Sequence, residues 1–272
     1  MRWMRQIEVP TPVLPGAVIA SATGVHVRIG GNAILHGVDI EVRAGEIVGL
    51  AGPNGAGKTT LFNALAGDIV GEAGDVRVHG EPVASWTARE LAQRRAVLPQ
   101  QIQMSFPFRV RDVVAMGRAP WIGTDRQDAD EAAVERAIVA ADIESLVARQ
   151  FTSLSGGERA RVAYARALAQ EAQWFLLDEP TAALDIRHQE LLFESLRARV
   201  RDGDGALVVM HDLALAAAHA DRIVLLRAGL VVATGTPREV LTPAILGEVY
   251  GHAIDVIEHP RTGDLLISPA RG

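Results

Sequence analysis

The sequence predicts an α/β domain built on a mostly parallel sheet, with a small antiparallel sheet near its amino terminus and a helical insertion. Three observations carry this expectation. Apolar runs of strand length alternate with amphipathic stretches of helical spacing from residue 47 onward, the pattern of strands joined by crossover helices. Residues 45–60 (GEIVGLAGPNGAGKTT) read as strand, glycine-rich loop and helix in direct succession. Four polar features, namely that loop, Gln100, Asp178 with Glu179, and His211, each follow an apolar run directly. This places them together beyond the carboxyl ends of strands, where open α/β sheets bind ligands.

Composition narrows the function classes. With 272 residues, 49% hydrophobic and 22% charged, the chain is globular and large enough for one substantial core plus a subdomain. Its formal charge is −6 and it has no Lys/Arg block, so no nucleic-acid partner is expected. The absence of cysteine removes disulfides and thiolate-held metal. No membrane span is expected, because the richest apolar stretch, 213–226, is broken by His219, Asp221 and Arg222. Pro10, Pro12 and Pro15 interrupt what would be a signal-peptide apolar region, and residues 1–20 are read as an irregular extension.

The elements follow in order. Residues 25–29 and 38–42 alternate apolar with polar side chains and predict two strands of the antiparallel sheet, with a turn at Gly30-Gly31-Asn32. The helix that starts near Thr59 should end at Gly67, and 75–78 with the turn His79-Gly80 predict another strand. A short buried strand, 96–98, ends at Gln100. Beyond it the texture becomes amphipathic helix at 110–117 and 128–139, the second opened by a capping-box pattern of Asp128 with Glu131. Ser155-Gly156-Gly157-Glu158 leads a helix to about Ala169. Strands at 174–177 and 207–210 end in Asp178 and His211, with a helix from about Arg187 between them. The runs 223–226 and 230–233 flank a hairpin turn, and the tail carries a short helix and a terminal strand pair.

The chemistry centres on 52–59, which fit GxxxxGK[ST]. Glycines let successive backbone N–H groups turn onto a polyphosphate at a helix N-terminus, where the dipole and unpaired donors favour an anion. Asn54, Gly55, Ala56, Gly57 and Thr60 would line that cradle, Lys58 would meet the β- and γ-phosphates, and Thr59 would meet Mg²⁺. Of 27 Lys and Arg residues, Lys58 is the only lysine, a compact point charge kept where a planar fork suits a phosphate oxygen less well. Asp178 stands where a carboxylate holds Mg²⁺, against the alternative that it caps the next turn. Glu179 is placed to polarise an attacking water, His211 to donate to the γ-phosphate, and Gln100 to contact the metal or the water. Ser155 and Glu158 form a capping box. Gly156 and Gly157 cost a helix start roughly 1 kcal/mol each relative to Ala, and in return they offer bare N–H groups to a second phosphate cradle.

Taken in order, GPNGAGKTT, the LPQ ending at Gln100, LSGGE, LLDEP, AALD ending at Asp185, and His211 resemble the Walker A, Q-loop, signature, Walker B, D-loop and H-loop motifs of ABC-type ATPase domains. The resemblance covers about 25–233. It implies a P-loop NTPase fold with a RecA-like core, an N-terminal antiparallel β-subdomain and a helical subdomain at about 102–168, all within one ABC ATPase domain at 21–272 whose tail runs from about 236. It further implies ATP and Mg²⁺ as ligands. Two chains would form a head-to-tail homodimer in which Ser155, Gly156, Gly157 and Asp185 of one close on ATP held by the other, with Glu179 as catalytic base.

Within that family, residues 94–100, 105–108 (SFPF), 110–114, 117–120, Val249-Tyr250-Gly251 and His259-Pro260 are similar to the ATPase subunits of haem importers in the iron-siderophore and cobalamin importer group. The resemblance implies a peripheral subunit on the cytoplasmic face of the cell membrane, docked on a polytopic permease dimer that receives cargo from a periplasmic or extracellular substrate-binding protein. An ATPase serving soluble partners in cofactor assembly, or an importer ATPase for ferric siderophore or cobalamin, are the alternatives. Met104, Phe106 and Phe108 fit either the core of the helical subdomain or a surface groove for the permease. One departure stands out: ABC domains usually place an aromatic near position 29 to stack on adenine, and here it is Ile29, with no aromatic between Met4 and Leu61.

Overall fold

Two hydrophobic clusters lie on opposite faces of one six-stranded sheet, and strand alternation sorts residues between them. In β3 (Ile47–Ala51), Ile47 and Ala51 enter one cluster and Val48 and Leu50 the other. In β7 (Trp174–Asp178), Phe175 and Leu177 oppose Trp174 and Leu176 in the same way. A sheet covered on both faces needs strands that are apolar throughout, and every residue of β3, β7 and β8 (Gly205–Val209) is buried. The computed structural model describes residues 10–11, 13–100, 104 and 106–271.

The first two strands, β1 (Val18–Ile29) and β2 (Asn32–Arg43), form a hairpin closed by Gly30 and Gly31, both at positive φ (57° and 86°). Paired left-handed residues at a two-residue turn match the twist of the flanking strands. The pair is longer than the alternation at 25–29 and 38–42 predicts, and β1 starts at Val18, inside the stretch read as an irregular extension. After β3 comes α1 (Lys58–Ala66), closed by Gly67 at φ 76°. Then β4 (Ala73–Val78) and β5 (Glu81–Pro82) complete an antiparallel sheet of order β2-β1-β4-β5. A helix absent from the sequence reading, α2 (Ala88–Arg94), starts on a capping box of Thr87 and Glu90 and leads into β6 (Arg95–Leu98).

The helical region holds α3 (Val110–Ala115), α4 (Asp130–Ala140) and α5 (Gly156–Ala169). The expected capping box of Asp128 with Glu131 does not form. Asp128 lies in a 3₁₀ turn, Asp125–Ala129, and α4 begins after it with no side-chain cap, while Glu131 pairs with Arg111. Buried Arg118 ties the region to the core, donating to Asp130 (2.7 Å), Glu171 (2.9 Å) and the Ala169 carbonyl (2.8 Å).

After β7, α6 (Ile186–Arg201), β8, α7 (Leu213–His219), β9 (Arg222–Arg227) and β10 (Leu230–Gly235) finish the main sheet. Its order is β10-β9-β3-β8-β7-β6, parallel except for the β9–β10 hairpin. The chain ends in α8 (Pro237–Val240), α9 (Pro243–Tyr250) and the hairpin β11 (Ile254–Glu258) and β12 (Leu265–Pro269). No helix among the described residues is long and apolar enough to cross a membrane.

Candidate nucleotide site

Adjacency of β3, β8, β7 and β6 sets the phosphate loop, His211, Asp178 with Glu179, and Gln100 side by side along one sheet edge. The loop is fixed by close backbone approach. A Cβ on Gly52 (φ 147°) would lie 2.0 Å from the Leu226 carbonyl, and one on Gly57 (φ 101°) 2.9 Å from Leu35. At Gly52 the backbones meet too closely for any side chain, and at both positions the positive φ favours glycine. Gly229 N donates to the Ala56 carbonyl at 2.9 Å, so the β9–β10 turn braces the loop from behind. Asn54, Gly55 and Thr59 are exposed, Thr60 is half-buried, and Ala56, Gly57 and Lys58 are buried.

Lys58 is buried at the start of α1. Its Nζ donates to the carbonyls of Gly52 (2.7 Å) and Pro53 (3.0 Å), holding its own loop. A buried ammonium needs acceptors, and these are the nearest. Burial lowers its pKa, while Glu179 and Asp178 act in the opposite direction.

Two carboxylates stand at the end of β7, Asp178 as its last residue and Glu179 just after it, and their environments differ. Asp178 is pushed up to about 6 by burial and then by the charge of Glu179, with Lys58 and His211 opposing. Its Oδ1 is buried without a hydrogen-bond partner, which argues against a turn-capping role. Glu179 has a left-handed backbone (φ 49°), uncommon for a side-chain-bearing residue, held by its N–H on the Val209 carbonyl (3.1 Å). Both of its oxygens are engaged: His211 Nε2 lies 2.5 Å from Oε1, and Gln100 Nε2 donates to Oε2 at 2.9 Å. Gln100 and Glu179 are 79 residues apart in sequence, and the adjacency of β6 and β7 joins them.

The expected capping box at Ser155 is present, with Ser155 Oγ accepting from Glu158 N (3.3 Å) and Glu158 Oε2 from Ser155 N (2.8 Å). A Cβ on Gly157 would meet the Ala183 carbonyl at 2.8 Å, so this glycine also permits α5 to start against the 181–185 turn. Asp185 is exposed and caps α6, accepting from His188 N at 2.9 Å. A cavity of about 410 Å³ is lined by Gln100, Gly156, Arg159, Asp178, Glu179 and Ala183, among others. Residues 52–60 are not part of its lining.

Ile29 ends β1 opposite Asn32 and is 48% exposed. Its hairpin lies beside the loop, since Leu35 of β2 contacts Gly57. Arg28 is occupied by the Gly31 carbonyl (2.7 Å) and Glu72 (3.2 Å). Phe106 (70% exposed) and Phe108 (40%) stand on the surface with ring centroids 6.1 Å apart, whereas Met104 packs against the core. Ser105 lies outside the described residues. Arg159, to which the sequence assigns no site role, also lines the cavity.

A family profile described as ABC transporter matches residues 35–182, more than half of the chain. The chain belongs to the ABC transporter family. It is 58% identical over 262 residues to the Hemin import ATP-binding protein HmuV of Streptomyces coelicolor, covering 96% of this chain and 94% of that one. It is 51% identical over 263 residues to the protein of the same description from Rhodococcus jostii, with 97% and 90% covered. Among solved structures, a metal-chelate type ABC transporter in an inward-facing conformation matches with TM-score 0.79 at 24% identity, over 94% of this chain and 98% of that one, a likeness of fold. A dimeric bacterial ABC transporter cassette matches with TM-score 0.72 at 26% identity, over 80% and 99%. As an ABC-type ATPase, this chain binds and hydrolyses ATP in support of transport.

Proposed function

We propose that this chain powers uptake of haem or a related iron chelate through separate membrane-spanning subunits, to which it docks at the cytoplasmic face of the cell membrane. The convergence of Lys58, Gln100, Asp178, Glu179 and His211 at one sheet edge supports the hydrolytic part. The haem assignment is supported by relatives at 58% and 51% identity that carry the hemin import description.

The residues divide the work by position. Lys58 and the N–H groups of 54–60 bind the polyphosphate, and Ile29 covers part of the adenine. Asp178 and Thr59 fit Mg²⁺, because one offers a buried oxygen without a partner and the other an exposed hydroxyl at a helix start. When bound, that ion would offset phosphate charge. Glu179 accepts the proton of the attacking water, which requires that Gln100 or His211 release one of its oxygens. His211 Nε2 then faces the γ-phosphate and Gln100 the water.

Ser155, Gly156 and Asp185 are exposed, as are Asn54 and Gly55 of the phosphate loop, which supports a head-to-tail homodimer in which one copy's Ser155, Gly156, Gly157 and Asp185 complete the other's site. The remaining partners are a polytopic permease dimer and, through it, a substrate-binding protein outside the membrane. The test is ATP hydrolysis in proteoliposomes holding this chain with a haem-importer permease and its binding protein. Haem should stimulate turnover, and ferric siderophore and cobalamin should not. Stimulation by either of these in place of haem would overturn the cargo assignment. Failure to associate with any permease would favour an ATPase of soluble partners.

A further inference from the structure

The Asp185 side chain is exposed, yet its direction is set by more than the helix it caps. Its Oδ1 accepts twice from one residue, from His188 N (2.9 Å) and from His188 Nδ1 (2.7 Å). The first is the N-cap bond of α6, and it survives any non-proline substitution at 188 because it uses the backbone. The second depends on the imidazole. A carboxylate can only accept, so Nδ1 carries the proton of this bond. Together the two bonds, the backbone one first, hold the Asp185 carboxyl below the usual carboxylate range.

The other edge of the ring is anchored in the helical region. His188 Nε2 faces Arg187 Nη1 at 3.2 Å and Asp142 Oδ2 at 3.4 Å, and Arg187 Nη1 donates to that same Oδ2 at 2.7 Å. Asp142 follows α4 in a left-handed conformation (φ 54°); its carbonyl accepts from Arg161 of α5, and its carboxylate lies 3.7 Å from the same guanidinium. Asp142 therefore stands between α5, which starts at Gly156 behind its cap Ser155, and α6, which Asp185 caps. His188 closes the circuit, and Gly157 against the Ala183 carbonyl draws the two helix starts together from the other side. Stability does not account for this cluster. Arg187 is 65% and Asp142 40% exposed, and exposed ion pairs add only about 0–1 kcal/mol each. What the cluster fixes is the placement of Asp185 relative to Ser155–Gly157.

We infer that His188 is a positioning residue for the shared nucleotide site, its ring holding the Asp185 carboxylate so that Asp185 and Ser155–Gly157 meet the nucleotide of the other copy in one fixed arrangement. This rests on the reading that Asp185 completes the partner's site, and the experiment separates the two claims. His188→Leu fills the place of the ring and leaves the backbone cap, while His188→Asn returns an N–H donor near the Nδ1 position. Dimerisation with a non-hydrolysable ATP analogue, followed by sedimentation, should weaken about 4- to 100-fold in His188→Leu, two- to tenfold for one hydrogen bond at each of two symmetric sites. Turnover should fall with it. Nucleotide affinity in protein too dilute to dimerise should stay at the wild-type value, because Asp185 acts on the nucleotide held by the other copy. His188→Asn should recover most of the loss, which a role in packing alone would not allow. Wild-type dimerisation by His188→Leu, an Asn variant no better than the Leu variant, or weakened nucleotide binding in dilute protein would overturn the inference. Asp185→Ser, which keeps an N-cap and removes the carboxylate, is the second arm. Impaired dimerisation there with a wild-type His188→Leu removes the role of His188 alone. Normal dimerisation and turnover by Asp185→Ser, or no analogue-dependent dimer in the wild-type protein, removes the shared-site reading and the inference with it.

Discussion

Replacing Asp178 with asparagine should stabilise the nucleotide-free protein while abolishing hydrolysis. The carboxyl is buried beside Glu179, and its pKa is raised from 3.8 to about 6. A tenfold change in acidity corresponds to about 1.4 kcal/mol, so holding this group ionised at neutral pH costs at most about 3 kcal/mol. Asp178 lines a cavity open to water, and screening there reduces the expected gain to about 1–2 kcal/mol. For a chain of this size that is a rise in Tm of about 2–6 °C. The sign with pH follows from the direction of the shift. A carboxyl whose folded pKa lies above its unfolded value penalises the fold fully above the folded value and not at all below the unfolded one. The difference between Asp178→Asn and wild type should therefore be complete above about pH 6 and vanish towards about pH 4. Thermal melts in chelator across that range, with an ATPase assay on the same samples, make the measurement. A variant that melts below wild type at pH 7.5, or a difference that does not change with pH, would refute the reasoning.

Other substitutions probe the remaining parts. Ile29→Tyr should tighten ATP binding several-fold, since stacking a base on an aromatic is worth about 1–3 kcal/mol; no gain, together with a loss in the exposed His26→Ala, would move the adenine contact to the histidine. Changing Phe106 and Phe108 together to serine should leave melting and basal ATPase activity intact, because both are exposed, and should abolish transport in the reconstituted system. A fall in melting temperature would return them to a core role. Arg118→Ala should cost about 1–3 kcal/mol, because Asp130 and the Ala169 carbonyl lose a buried donor while Glu171 keeps Arg136; a denaturation midpoint equal to wild type would discount the network.

The sheet and the motif positions were legible because each rests on a local rule. Unbroken apolar runs of strand length marked β3 and β7, and polar residues directly after apolar runs marked the sheet edge. The Ser155–Glu158 capping box was legible by its spacing, and Thr87–Glu90 carries the same spacing at α2. That second box was obscured because α2 has only seven residues, too few for a helical period to emerge. At Asp128 the same rule misled, since spacing alone does not tell an N-cap from a residue inside a 3₁₀ turn. Contacts between distant segments left no local trace. The engagement of Glu179 by Gln100 and His211, and Gly157 against Ala183, depend on strand order and on where distant loops pack.

The central claim is that Glu179 is the base at an ATP site shared by two copies of the chain. Glu179→Gln keeps the shape and hydrogen-bonding reach of the side chain and removes its ability to take a proton. Size exclusion with bound nucleotide measured on the same peak, beside a turnover assay, tests it directly. The variant should retain ATP at wild-type affinity, lose turnover about 10²- to 10⁴-fold, and form a dimer only with ATP. Turnover within a few-fold of wild type, or ATP held by a protein that stays monomeric, would contradict it.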